Sequence, residues 1–183
     1  MSFIKKVAEQ FNQINDEQFE LASKLISEVE GIVYTVGAGG SSATMSHFTS
    51  DLLNQGIHSV CVTDNVPRLT ATVNDHGWDK VYRTMLVDFV KPDDLIVIAS
   101  VNGSSGKSGS GEAWSSNLFD LAQLFKEKGG KILSIVGNEG GNLKSISDQC
   151  ICISSKDPFL VEGVHSMVTH GICNMLRWRK KID

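Results

Sequence analysis

Gly31-Ile-Val-Tyr-Thr-Val-Gly-Ala-Gly-Gly-Ser-Ser42 decides the reading of this chain. A short apolar, β-branched run ends in a glycine turn, and a helical pattern from Ser41 to Asn54 follows at once. Glycines let a backbone approach a ligand closely, and a helix start presents unpaired N–H groups and a dipole that favours an anion. Strand, glycine turn and helix in that order make a cradle for phosphate. The spacing is neither G-x-G-x-x-G nor a P-loop ending in Gly-Lys-Ser/Thr, which argues against dinucleotides and nucleoside triphosphates.

Four further β-rich runs lie downstream: Ser59 to Thr63, Leu95 to Ser100, Ile132 to Val136, and Cys150 to Ser154. They are mostly apolar and do not alternate, as strands buried on both faces of a parallel sheet do not. Helical patterns at Asp79 to Val90, Asn117 to Lys128 and Leu160 to Trp178 separate or follow them. The repeated β-then-α order predicts right-handed crossovers and a three-layer α/β/α sandwich around a five-stranded parallel sheet, with its ligand site beyond the carboxyl ends of the strands.

Upstream, Ile4, Val7, Phe11, Ile14, Phe19, Leu21, Leu25 and Ile26 recur at helical intervals. Residues 1–30 are therefore expected to be an N-terminal helical segment and residues 31–183 the ligand-binding domain. A helix ahead of the first strand makes no crossover, so its apolar face is expected to be covered by another subunit.

The chain has 183 residues, 41% of them hydrophobic and 21% charged, which suits one folded domain. A net charge of −4 provides no broad positive field for nucleic acid, although local backbone amides can still hold a small anion. The basic end, Arg177 to Lys181, reads as a helix C-terminus whose cations complement the dipole. Cys61, Cys150, Cys152 and Cys173 lack CxxC spacing and read as buried thiols. With no signal-like or spanning apolar run, a cytoplasmic, non-membrane protein is expected.

Asn102-Gly-Ser-Ser-Gly-Lys-Ser-Gly-Ser-Gly-Glu112, at the end of the third strand, is a candidate ligand loop. Its Gly106-Lys107-Ser108 has no glycine five positions ahead and is no P-loop. Ser100, Asn102, Ser104 and Ser105 offer uncharged donors to a phosphate that must later be released. His47 and Asp51 are four residues apart on one helix face, and Glu162 and His170, eight apart, share a face on the last helix. A histidine and a carboxylate on each helix suit either proton transfer between neighbouring carbons or a tetrahedral divalent metal. Spacing alone favours the plainer reading, a carboxylate near a helix start acting only as a dipole partner. His165 is offset from His170 and reads as a packing or interface residue; His58 and His76 fall in expected loops.

These segments, from about Phe11 to Arg177, resemble the SIS-domain phosphosugar isomerases, and within them the phosphoheptose isomerases. Gly37-Ala-Gly-Gly-Ser41 with Ser46-His-Phe48, Thr63-Asp-Asn-Val-Pro67 with Leu69-Thr-Ala71 and Asn74-Asp75, and Gly137-Asn-Glu-Gly-Gly141 carry the likeness. The resemblance implies a flavodoxin-like sheet and a cytoplasmic homotetramer with sites shared between chains. It also implies interconversion of ketose and aldose phosphates through an enediol, with sedoheptulose 7-phosphate as the substrate. By position it makes Asp51, where the family has glutamate, the base and His170 the acid–base partner. His47, Asp51, Glu162 and His170 match the set that holds zinc in some members. Gly39, Gly40, Ser41, Asp64, Asn74, Asp75, Ser100, Asn102 and Ser105 match substrate and phosphate positions. Two departures stand out. Asn102 replaces a serine in the phosphate loop, and Phe159 replaces an acidic residue. SIS domains also serve as sugar-phosphate sensors or protein scaffolds, and that reading competes with the enzyme.

Overall fold

The computed structural model describes residues 2–105 and 115–182. Gly106 to Glu112 of the glycine- and serine-rich stretch therefore lie outside the described residues. In chain order the elements are α1 (Phe3–Phe11), α2 (Asp16–Ser27), β1 (Val33–Gly37), α3 (Gly40–Asn54), β2 (Ser59–Cys61), α4 (Val66–His76), α5 (Val81–Leu86), β3 (Leu95–Ser100), α6 (Ser116–Lys128), β4 (Lys131–Val136), α7 (Gly141–Ile146), β5 (Gln149–Cys152) and α8 (Pro158–Ile182).

The five strands form one parallel sheet in the order β2-β1-β3-β4-β5. This is the flavodoxin-like order. The chain leaves β1 toward β2 on one side and returns as β3 on the other, so the crevice at the carboxyl ends of β1 and β3 is the topological switch point where such sheets take ligands.

Alternate strand residues feed two cores. Val33, Leu95, Val97, Ala99, Leu133, Ile135 and Ile151 pack with residues of α2, α3 and α8 on one face. Tyr34, Val36, Ile96, Ile98, Ile132 and Val136 pack with α5, α6 and α7 on the other. Each fully buried aliphatic side chain contributes about 1.5–3 kcal/mol, which is why the strands read as continuous apolar runs.

Local sequence sets the helix boundaries. Asn15 and Gln18 form a reciprocal capping box at the start of α2. Asp157 Oδ1 accepts from Phe159 N at 3.1 Å, and Pro158 opens α8.

The five strands and the three-layer order agree with the sequence reading. The helical stretch expected from Asp79 to Val90 is shorter, a 3₁₀ turn at Trp78–Lys80 followed by α5. Helix α4 was not anticipated, and it makes His76 a terminal helical residue where a loop was expected; its Asn65 cap and Pro67 are the overlooked start signals. Helix α2 also departs from expectation: Phe19, Ala22 and Ile26 are buried in the chain's own core with α8. Helix α1 by contrast has no buried residue and leaves Phe3 and Ile4 exposed. At the basic end, Arg179 donates from Nε to Ser23 Oγ at 3.1 Å and from Nη2 to Glu20 O at 3.2 Å, tying α8 to α2.

Candidate active site

Helices α3 and α8 lie side by side and run in the same direction. Glu162 meets Gly40, His165 meets Ser41, Ser166 meets Thr44, and His170 meets Asp51. Buried Met45, Phe48, Leu52, Val164, Val168 and Ile172 hold the pair in this register. His47 and Asp51, one turn apart, are thereby aimed at the same rim as His170.

There, Asp51 Oδ2 lies 3.6 Å from His47 Nε2 and 3.7 Å from His170 Nε2. The two imidazole rings meet edge to face, with centroids 5.3 Å apart. The histidines are exposed and the carboxylate is largely covered. One ligand atom from each residue lies within 4.8 Å of the others. Two imidazole nitrogens and one carboxylate oxygen fit a divalent ion that keeps an open position, the arrangement of a catalytic rather than a structural zinc site.

Glu162 does not join these three within the chain. Eight residues, about 12 Å of helix, separate it from His170. Its Oε1 accepts instead from Gly40 N at 3.1 Å. Gly39, at φ +59°, is the N-cap of α3 and offers no side-chain acceptor, so Glu162 supplies the missing one from another helix. A Cβ on Gly40 would overlap that carboxylate. The dipole end that the sequence offers to an external anion is thus engaged by an internal one. Nor does the Ser41 hydroxyl face outward: the residue is buried, with Oγ 3.3 Å from His165 Nδ1. Burial pushes the His165 pKa down to about 4, with a weaker opposing effect from the Ile135 backbone, so its imidazole is neutral at neutral pH. His165 is a packing residue, as its offset implied, and it also braces the first loop.

The other candidates divide. Asp64 accepts from Ser46 Oγ at 2.9 Å, and Ser42 Oγ lies 2.7 Å from Thr63 Oγ1, so the loop after β2 is fastened to α3. Asn74 and Asp75 are exposed at the end of α4, bonded to each other at 2.9 Å and not to the remaining candidates. At the end of β3, Ser100 Oγ accepts from Gly103 N at 3.1 Å. Ser105 Oγ donates to Asn102 O at 2.6 Å and accepts from Asn138 Nδ2 at 2.9 Å. Gly103, at φ +57°, packs so tightly on Gly140 that a Cβ would overlap the Gly140 carbonyl. Leu143 N donates to Gly103 O at 3.0 Å. Residues 101–105 after β3 and the loop after β4 are one locked unit beside the switch point. The contribution of Asn138 was missed because its partner, Ser105, is distant in sequence.

A concavity of about 480 Å³ lies elsewhere. It is lined by Gly31, Gly56, Ile57, His58, Leu176 and Arg179 among others, at the amino ends of β1 and β2. None of the candidate residues lines it, and in a doubly wound sheet that end is not where ligands sit.

Sheet order, switch-point loops and helix register match the α/β fold of the sugar isomerase (SIS) domains. Within that class the chain resembles the phosphoheptose isomerases. It is 24% identical to the phosphoheptose isomerase of Helicobacter pylori over 94% of this chain and 88% of that one. The lincomycin biosynthesis protein LmbN of Streptomyces lincolnensis is 33% identical across 78% of this chain, which spans 54% of LmbN's length. In three dimensions, phosphoheptose isomerase GmhA from Neisseria gonorrhoeae superposes with a TM-score of 0.85 at 20% identity, covering 96% of this chain and 94% of its own. No family model matches the chain.

Proposed function

We propose that the protein is an aldose–ketose isomerase acting on a phosphorylated sugar, converting sedoheptulose 7-phosphate to a heptose 7-phosphate in the cytoplasm. The observation that carries this reading is the meeting of Asp51 with His47 and His170 beside an SIS-type switch point. Seven residues, about 10 Å of helix, separate His47 from Gly40. An extended seven-carbon phosphate has a length of that order, so its phosphate can lie by the loops while its C1–C2 end reaches the imidazoles.

In the reaction, the Asp51 carboxylate takes a proton from C1 of the ketose as the C2 carbonyl becomes a hydroxyl. The resulting enediol then receives a proton at C2 while the C1 hydroxyl becomes the aldehyde. His170 holds the proton that moves between the two oxygens. Both groups must stand over the same face of the C1–C2 bond, and the α3–α8 register supplies that preorganisation. When held by His47, Asp51 and His170, a divalent ion such as zinc would polarise the carbonyl and the neighbouring hydroxyl in place of the proton on His170. Ser100, Asn102 and Ser105, with the backbone at Gly39, form the phosphate end, beside the Gly40 amide that Glu162 holds; Asp64, Asn74 and Asp75 serve the sugar hydroxyls. The working form is a homotetramer with shared sites. Exposed Phe3 and Ile4 on α1 and Phe159 and Met167 on α8 support self-association.

The test is incubation with sedoheptulose 7-phosphate in deuterated water, following aldose phosphate formation and deuterium at C2. Asp51→Asn and His170→Gln should abolish both. Ordinary turnover in either variant would overturn the assigned roles. One observation favours a sensor instead: the Ser100 and Ser105 hydroxyls are already engaged within their own loop. Thermal stabilisation by the sugar phosphate without deuterium incorporation would establish the sensor.

A further inference from the structure

We propose that Cys150 and Cys152 are a redox-active dithiol, closed to an intrastrand disulfide by hydrogen peroxide, and that its closure is felt at the loops beside the switch point. Residues i and i+2 of a strand share a face. On β5 this brings the two sulfurs to 3.5 Å, within reach of an S–H···S hydrogen bond. Both residues are partly exposed, whereas Cys61 and Cys173 are buried.

Chemistry separates the four thiols as well. Burial pushes up the pKa of Cys61 and takes that of Cys173 to about 12, which leaves both as unreactive thiols. Within the pair, the Cys150 hydrogen bond lowers the Cys152 pKa, and the Lys144 ammonium adds to this against partial burial. Cys150 is displaced upward by the same hydrogen bond and by burial. One sulfur is therefore a nucleophile and its neighbour a resolving thiol. The Cys152 thiolate attacks the peroxide O–O bond and becomes a sulfenic acid as one oxygen leaves as water. Cys150 then displaces the sulfenic oxygen as a second water, and the S–S bond forms. Two thiols are oxidised by two electrons and one peroxide is reduced to two waters.

The backbone decides what kind of disulfide results. Two residues of extended strand span about 6.6–6.8 Å, the upper end of the Cα separation that a disulfide tolerates. Closure must shorten β5, so the bond is strained and easily reduced, as suits a reversible switch. Among the described residues strand β5 is the sheet edge, paired to β4 alone, so only one ladder resists its displacement. Its movement has a physical route. Cys152 Sγ packs 3.1 Å from where a Cβ of Gly140 would stand, and Gly140 is locked against Gly103. Just beyond β5, Ser155 O accepts from Asn138 N at 2.8 Å, and the Asn138 amide holds Ser105 Oγ.

Treating the full chain with hydrogen peroxide, then measuring intact mass and mapping peptides without reductant, tests the pair. The expected product is lighter by about 2 Da, linked between Cys150 and Cys152, and restored by dithiothreitol. Cys152→Ser should give no link, and Cys150→Ser should leave a dimedone-reactive sulfenic acid at Cys152. Over-oxidation without a link, a link to Cys61 or Cys173, or dimedone capture at Cys150 in Cys152→Ser would overturn the proposal. The wild-type map decides this even if a variant folds poorly. Hydrogen exchange should rise in residues 100–105 and 137–143 on oxidation, and unchanged exchange there would refute the transmission to the loops. None of these readouts depends on isomerase activity.

Discussion

The Asp51 carboxylate lies 3.7 Å from the His170 imidazole, joining the first helix after β1 to the last helix of the chain. Because His170 is exposed and Asp51 sits at the rim of the α3–α8 contact, neither supports the core. Their replacement should separate chemistry from folding. Asp51→Asn and His170→Gln are expected to lower kcat by on the order of 10²–10⁴, the range for a lost acid or base, with the Tm nearly unchanged. Proton-exchange kinetics beside a thermal melt make the comparison.

The same three residues can be tested with metal alone. Titrating the metal-free protein with zinc should show one site per chain. His47→Gln and Asp51→Asn should each weaken it by at least about 10–100-fold, since even the loss of a group supporting a ligand costs that much. Glu162→Gln should leave zinc affinity intact within a single chain. A loss there would mean that Glu162 arrives from a neighbouring subunit.

How much of this was legible beforehand depends on the range of the interaction. Apolar runs such as Leu95 to Ala99 announce a buried parallel strand because every residue of the run meets a core. The i, i+4 pair His47 and Asp51 is likewise local, and its shared face follows from helix geometry alone. The convergence with His170 depends on the register of α3 against α8, set by packing among residues far apart in sequence. For the same reason Glu162 looked like a fourth ligand, while the fold uses it as the cap of α3. Helix α4 escaped notice because its apolar face is short, with Leu69 and Val73 only partly buried against the second core.

Glu162 invites a charge test. Its carboxylate rests against the α3 N-terminus, where it favours the helix but repels an approaching phosphate. Glu162→Gln keeps the acceptor and removes the charge. Inorganic phosphate and the phosphorylated sugar should then bind about 2–5-fold more tightly, the equivalent of roughly 0.3–1 kcal/mol for one charge at a helix end. Isothermal titration reads this directly. Weaker binding would assign Glu162 to the sugar hydroxyls.

Gly103 tests whether the two loops act as one. Its φ of +57° disfavours any L side chain, and an added methyl would overlap the Gly140 carbonyl. Gly103→Ala should cost about 2–4 kcal/mol by combining backbone strain with overpacking. If the phosphate rests on this unit, affinity for the sugar phosphate should fall as well. Chemical denaturation and a binding titration on the same sample would expose a variant that loses one property without the other.

His165 gives the protein an acid-sensitive core. Its pKa is near 4 in the folded chain because burial penalises the imidazolium, against an ordinary value of 6.5 in the unfolded chain. Above about pH 6.5 both states hold it neutral and it contributes no pH dependence. As pH falls from 6.5 toward 4 the unfolded chain takes up the proton first, so stability declines through that window and this contribution levels off below it. The full effect is roughly 3 kcal/mol, at about 1.4 kcal/mol per pKa unit. Urea denaturation at a series of pH values should therefore show a steeper decline between pH 6.5 and 4 in the wild type than in His165→Gln, which cannot titrate. Equal slopes would mean that the imidazole is solvated in the native state, and the bracing of Ser41 by a neutral ring would fall with it.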